Sequence, residues 1–379
     1  MSCYRDRSGT VQARLDALNA FGEKADCVAR PMRTSAGKTV VGLDIEPGYV
    51  AAVEARGGRV AVERAATAPL AAGVVRDGEV VDIDALATVL RTLFAEHKLG
   101  RRVRLGVANQ RIVMRMLDLP PLEDPKEIAS AVRFQAQEHI PMPLDQAILE
   151  HQSLGIVETA EGARTRVVLV AARRDMIERL VEATKRAGLR THGIDLSAFA
   201  MIRALHTPGS TTSTLYINVG GLTNLAVAVG TTCVFTRVVV TGMESIAGEL
   251  AERRGLTLEH AHGWLKHVGL VLPADDVDGD HEIVAEARSV LSEGVHKIAD
   301  DVRNSLDFHT MQDGAADVER AVLTGPALAI PGFADQLREE IGIPLEVGVV
   351  AEGRPGAFGD IDAGTLAVAA GLTVEQVPA

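Results

Sequence analysis

VGLDIEPGYVAAVE, residues 41–54, holds two apolar runs joined by a tight turn at Pro47 and Gly48. One carboxylate, Asp44, lies on the entering run, and a second, Glu46, stands at the bend. Apolar runs broken by Pro-Gly predict a β-hairpin. The backbone N–H groups of such a bend can cradle a phosphate. Glu46 and Pro47 are poor residues for that purpose, because one adds negative charge and the other has no N–H to donate.

Working outward, TVVGLDI, VAAVEAR and RVAVERAATAP read as three consecutive antiparallel strands with glycine-containing turns. GVVRDGEVVD reads as a short hairpin around Asp77-Gly78. Helical spacing follows over 83–99, then two strands ending at Pro120-Pro121, then a helix over 123–140 with Pro125 in its first turn. Two further strands precede the helix RDMIERLVEATKRAGL, which Gly188 closes. THGIDLSAFAMIRAL is a strand leading into a helix.

The opening pattern then returns. TLYINVGGLTNLAVAVGTTCVFTR, residues 214–237, is again strand, glycine turn, strand, turn, strand. Placing Asn218 on Asp44 brings the two stretches into register, and each runs on into a third strand. Two such meanders predict an internally duplicated α/β protein with a cleft between two lobes. A helical block over 244–312, the strand RAVLTG, the helix GFADQLREEIG and a small-residue helix in GTLAVAAGLTVEQ complete the chain. Residues 1–37 read as a poorly ordered lead with a weak helical patch, VQARLDALNAF, and Met32 is an alternative start.

The 379 residues are 47% hydrophobic and 24% charged, which calls for a globular core; only 3% are aromatic, so that core is aliphatic. A net charge of −12 argues against nucleic acid as a partner. Of 39 basic residues 32 are Arg, a bias that genome composition explains better than a demand for guanidinium. Cys3, Cys27 and Cys233 have neither zinc nor disulfide spacing and fit a reducing cytoplasm. No apolar run approaches the ~18 residues of a spanning helix, so no direct membrane insertion is expected. His262 points away from His260 and His267 on a helix, which makes a metal cluster there improbable. Trp264 reads as a core anchor, and no G-x-S-x-G or Cys/His nucleophile is present.

Two carboxylate-headed hairpins and a late strand–glycine turn–helix resemble the actin, sugar-kinase and heat-shock ATPase fold. Within it the chain resembles the PilM family, the cytoplasmic actin-like proteins of type IV pilus assembly. The likeness is carried by VGLDIEPGYVAAVEA, GVVRDGEVVD, LDLPPLEDPKEIASAVRFQAQEHIPMPLDQAILEH, VVLVAARRDMIERLVEATKRAGLRTHGIDLSAFAMIRAL and DDVRNSLDF, spread over residues 38–375. It implies an actin-like (ribonuclease H-like) α/β fold of two duplicated lobes with an inserted small α+β subdomain. The first lobe is expected from 38–102, 173–212 and 355–379, with the inserted subdomain at 103–172. The second lobe is expected from 213–243 and 313–354, with 244–312 as its helical subdomain.

The resemblance also implies an ATP and Mg²⁺ site between the hairpins. Carried over residue by residue, the first motif keeps Asp44, which the resemblance makes a Mg²⁺ ligand through water. It has Glu46 for the expected glycine, Pro47 and Gly48 for serines, and Ala51 for a lysine. The second motif keeps Gly220, Gly221 and Thr223 but has Asn218 for aspartate. The third keeps Gly325 and has Pro326 for its second glycine. Lys266 would be the base- or ribose-contacting lysine, with His262 and Gly263 near it in place of the usual glutamate. Three departures together predict weak or absent nucleotide binding, with no catalytic residue assigned; the hairpins would then persist because they build the lobes. The implied partner is the N-terminal tail of a PilN-like inner-membrane protein, seated where the inserted subdomain meets the first lobe, between strand 103–119 and helix 123–140. Other platform or motor components would follow, at the inner face of the cytoplasmic membrane. The alternatives are a working actin-like ATPase or FtsA-like filament former and, from another class, a small-molecule kinase, for which no base or substrate loop is evident.

Overall fold

The computed structural model describes residues 39–55, 60–159, 161–312, 314–350 and 353–374. The helical patch expected at 11–21, the alternative start at Met32 and the last five residues lie outside these ranges.

Two five-stranded sheets form the frame. The first contains β1 (Val41–Glu46), β2 (Tyr49–Ala55), β3 (Val62–Pro69), β6 (Arg102–Val107) and β10 (Arg190–Leu196). Its order is β10-β6-β1-β2-β3, antiparallel across β1–β2–β3 and parallel across β1–β6–β10. The second contains β11 (Ser213–Val219), β12 (Thr223–Val229), β13 (Thr232–Val239), β14 (Arg320–Thr324) and β15 (Leu345–Val347). Its order, β13-β12-β11-β14-β15, repeats the first with the same strand directions. The duplication read from the sequence is thus a duplication of topology. After β3, β4 (Val75–Arg76) and β5 (Glu79–Val80) form the expected hairpin, and Asp77 and Gly78 take φ of 53° and 78°, the two left-handed corners of its turn.

Strand alternation divides the work of β1. Val41 and Leu43 pack into a core with α1 (Ile83–Glu96) and α3 (Arg174–Arg186). Gly42 faces the opposite side, where a Cβ would strike Ala369 of the short C-terminal helix α9 (Ala367–Gly371). Asp44 and Glu46 share that side. α9 is much shorter than the helix the sequence predicts, and it packs with α4 (Ser197–Leu205), which follows β10 directly.

A third, smaller sheet, β7-β9-β8, is made of β7 (Val113–Leu119), β8 (Ala147–Thr159) and β9 (Gly162–Arg173). Helix α2 (Pro125–His139) covers one face through Ile128, Val132 and Ala136. Asp124 caps it, accepting from the Lys126 N–H, and Pro125 opens its first turn. The expected start of this insertion, residue 103, is displaced. Val103 and Leu105 are fully buried in the first sheet, where β6 pairs with both β1 and β10. The inserted strands begin only at Val113.

The second lobe carries α5 (Met243–Arg254), α6 (Leu258–Val268), the 30-residue α7 (His281–Thr310) and α8 (Phe333–Ile341). They bury an aliphatic core against β11, β12 and β14. Trp264 packs against that core, edge-on to His267 at 5.7 Å, as its sequence context suggests.

Candidate functional site: the meeting of two hairpin turns

The two β-meanders bring their first turns together across the lobes. In the first, Pro47 and Gly48 join Glu46 to its cross-strand partner Tyr49. Proline pre-sets the first corner, and Gly48, at φ 87°, supplies the left-handed second. In the second, Gly220, Gly221 and Leu222 join Val219 to Thr223. That loop is closed by the Gly220 N–H donating to the Leu222 carbonyl at 2.9 Å, and tied to α5 by the Met243 N–H donating to the Gly220 carbonyl at 2.8 Å.

Glu46 reaches from the first turn into the second. Its Oε1 accepts from Asn218 Nδ2 at 3.2 Å, and its Oε2 accepts from the Leu222 N–H at 3.4 Å. The carboxylate is 2% exposed. The fit around it is steric as well as polar. A Cβ on Gly220 would strike Glu46 Oε2 and come within 2.8 Å of the Tyr49 hydroxyl. A Cβ on Gly221 would strike the Pro47 carbonyl, and one on Gly242 would lie 2.5 Å from the Gly221 carbonyl. Gly48 lies against Glu244 of α5, whose carboxylate pairs with His262 Nε2 at 3.2 Å.

Burial dominates the electrostatics. It pushes the Asp44 carboxyl up to about 7. It also raises Glu46 well above the ordinary carboxylate range; the neighbouring Asp44 charge adds to this, and the N–H groups of Leu222 and Gly221 with the Asn218 amide partly oppose it. The Tyr49 phenol is raised by burial first, then by the Glu46 and Asp44 charges. Asp44 Oδ2, Ser197 Oγ, Thr223 Oγ1 and Asn224 Oδ1 are buried with no hydrogen-bond partner among the described residues.

The structure therefore gathers Asp44, Glu46, Gly48, Asn218, Gly220, Gly221, Thr223 and Gly325 around one point. Gly325, at φ 103°, is there because a Cβ would lie 2.6 Å from Asn218 Oδ1. Pro326 beside it opens a short 3₁₀ turn, where its missing N–H is no loss. Lys266 is exposed on α6, one helical turn after His262, and no contact joins it to these residues among those described. The cleft between the lobes, about 420 Å³, opens beside the turns and is lined in part by Pro47, Arg76, Leu222, Glu244 and Lys297. Sequence reasoning missed Tyr49, Gly242 and Ser197. Tyr49 alone carried a visible signal, as a phenol directly after the Pro-Gly turn.

The arrangement can be set against a bound nucleotide and Mg²⁺. A phosphate in the second turn needs the donors that Glu46 holds, and the space that Glu46 and Pro47 fill. Asp44 is almost fully buried, and no group of three or more His, Cys, Asp or Glu able to hold a metal occurs among the described residues.

A sequence model of the type IV pilus assembly protein PilM family matches residues 42–353. Among solved structures, a chain of the PilM-PilN type IV pilus biogenesis complex is similar at 25% identity and a TM-score of 0.73, over 88% of this chain and 97% of that one. Ethanolamine utilization protein EutJ from Carboxydothermus hydrogenoformans is similar at 16% identity and TM-score 0.53, over 97% and 99%. MreB5 of Spiroplasma citri bound to ADP is similar at 13% identity and TM-score 0.52, over 88% and 94%. These last two share the fold alone. The match over residues 42–353 covers most of the chain, and the chain belongs to the type IV pilus assembly PilM family.

Proposed function

We propose that this protein is the cytoplasmic actin-like component of a type IV pilus assembly complex, that it docks the N-terminal tail of a PilN-like inner-membrane protein, and that it does so without bound nucleotide. The observation that carries the reading is the likeness to the PilM-PilN complex over nearly the whole of both chains. No helix among the described residues is long and apolar enough to cross a membrane, so attachment to the membrane would run through the partner. Further platform or motor components would join through the same assembly.

The docking groove lies at the root of the inserted subdomain. There Ala172, Met176 and Ile177 form a small buried cluster, edged by the partly buried Val107, Ile112 and Ile148. β7 and β8 are the outer strands of the inserted sheet, and an extended peptide beside such an edge gains backbone hydrogen bonds while seating alternate apolar side chains. The nucleotide-free character rests on Glu46 lying between the two turns.

Calorimetry with a synthetic PilN-type N-terminal peptide tests both halves. Binding is expected with and without Mg-ATP, at affinities within about two-fold of each other. Failure to bind up to about 1 mM, or binding only with Mg-ATP, would overturn the reading. Ile148→Asp, which sets a charge at the edge of the apolar cluster, is expected to weaken the peptide about ten-fold or more.

A further inference from the structure

We propose that Glu46 is a resident ligand of the second lobe's glycine turn, a carboxyl group carried on the chain that takes the donors a small external oxyanion would use and so holds the two lobes together. The proposal deepens the nucleotide-free reading above and rests on it.

Three observations converge. The donors are of the kind that bind oxyanions: the backbone N–H of Leu222 and the side-chain amide of Asn218, both aimed at one carboxylate. The shape is matched to that carboxylate, because Gly220 and Gly221 leave no room for a Cβ between the turns. The contact is also continuous, with Pro47 against Gly221, Gly48 against Glu244 and Gly221 against Gly242. Glu46 and Asn218 are 172 residues apart, one in each repeat, so their hydrogen bond is a contact between lobes.

Glutamate is long enough to cross from β1 to the Leu222 N–H; aspartate is one methylene shorter, and glycine presents nothing. Removing the carboxylate frees the Leu222 N–H and leaves Asn218 only its hydrogen bond to Tyr49, and an inorganic polyphosphate can then take the vacated donors.

The experiment is amide hydrogen exchange at Leu222 in the full chain, for the unsubstituted protein, Glu46→Gly and Glu46→Asp, each with and without 10 mM tripolyphosphate as the probe, about a hundred-fold above a tenth-millimolar affinity. In the unsubstituted protein, exchange is expected to be slow and indifferent to tripolyphosphate. In Glu46→Gly it is expected to rise at least ten-fold and to be slowed again by the probe, with Glu46→Asp showing the same changes at smaller amplitude. Should Glu46→Gly not fold, Glu46→Asp decides by the same two readings. Unchanged exchange in the folded variants overturns the proposal. So does faster exchange that tripolyphosphate fails to slow, which would make Glu46 a packing residue only. None of these readings involves the peptide, so a failure here leaves peptide docking standing, and a failure of peptide docking shows in its own isotherm.

Discussion

The first turns of the two repeats have the same place in the same topology and opposite chemistry. Gly220-Gly221-Leu222 offers backbone N–H groups and two positions without side chains, the properties of an anion turn. Glu46-Pro47-Gly48 offers a carboxylate, a carbonyl and a missing N–H. Duplication made two equivalent hairpins, and they now complement each other as ligand and receptor. Two symmetric phosphate turns would need a phosphate between them to neutralise their shared preference; an asymmetric pair can close directly.

Filling the receptor turn should have the largest effect. Gly221→Val sets a branched side chain on the Pro47 carbonyl, and backbone against backbone has little room to yield. A loss of about 3–4 kcal/mol in urea unfolding is expected, with the lobe contact opened.

The next prediction concerns charge at the ligand turn. Asp44 is buried and its carboxyl is pushed up to about 7. A raised carboxyl binds a proton in the folded state that the unfolded chain releases above about pH 4. Its contribution to stability therefore falls as pH rises from about 4 to 7, and the full deficit is present above that window. Asp44→Asn, which cannot ionise, is expected to be more stable than the parent by about 3–4 kcal/mol at pH 8, with the difference gone near pH 4, as read from urea midpoints at each pH.

Gly48→Ala should cost less, about 1–2 kcal/mol by the same measurement. It strains the backbone at φ 87°, but the atom it meets is the end of the flexible Glu244 side chain. The smallest effect belongs to Lys266→Ala. This residue is exposed on α6, so a stability change within about 0.5 kcal/mol and unaltered peptide affinity are expected. A large change at Lys266 would move the centre of the site from the turns to the helical subdomain.

The hairpins were legible because their signals are local. Two-residue alternation, Pro47-Gly48 and the glycine pair at 220–221 each lie within a few residues. The repeat of strand order was legible from their register, since Asn218 on Asp44 aligns strands that the structure places in equivalent positions. What the sequence could not give was contact between the lobes. Nothing within ten residues of Glu46 tells that its carboxylate meets Leu222. The boundary at residue 103 failed for the same reason: the partners of β6 in the parallel part of the sheet are β1 and β10, both remote in sequence. The exposure of Lys266, by contrast, was legible in the sequence. Ala261, Leu265 and Val268 form the buried stripe of α6, and at 3.6 residues per turn Lys266 lies about 120° from the middle of that stripe.

The buried arginines of the first lobe carry one further consequence. Arg104 on β6 donates to the carbonyls of Leu372 and Val374, and Arg203 on α4 donates to that of Gly371. Gly42 on β1 meets Ala369 in the same layer. Strands made early in translation are thus completed by the segment near residue 370, while the second sheet is closed by residue 347. On the ribosome the later-encoded lobe can finish folding first, while the earlier one waits for the backbone carbonyls of residues 371–374 that these two side chains also bind.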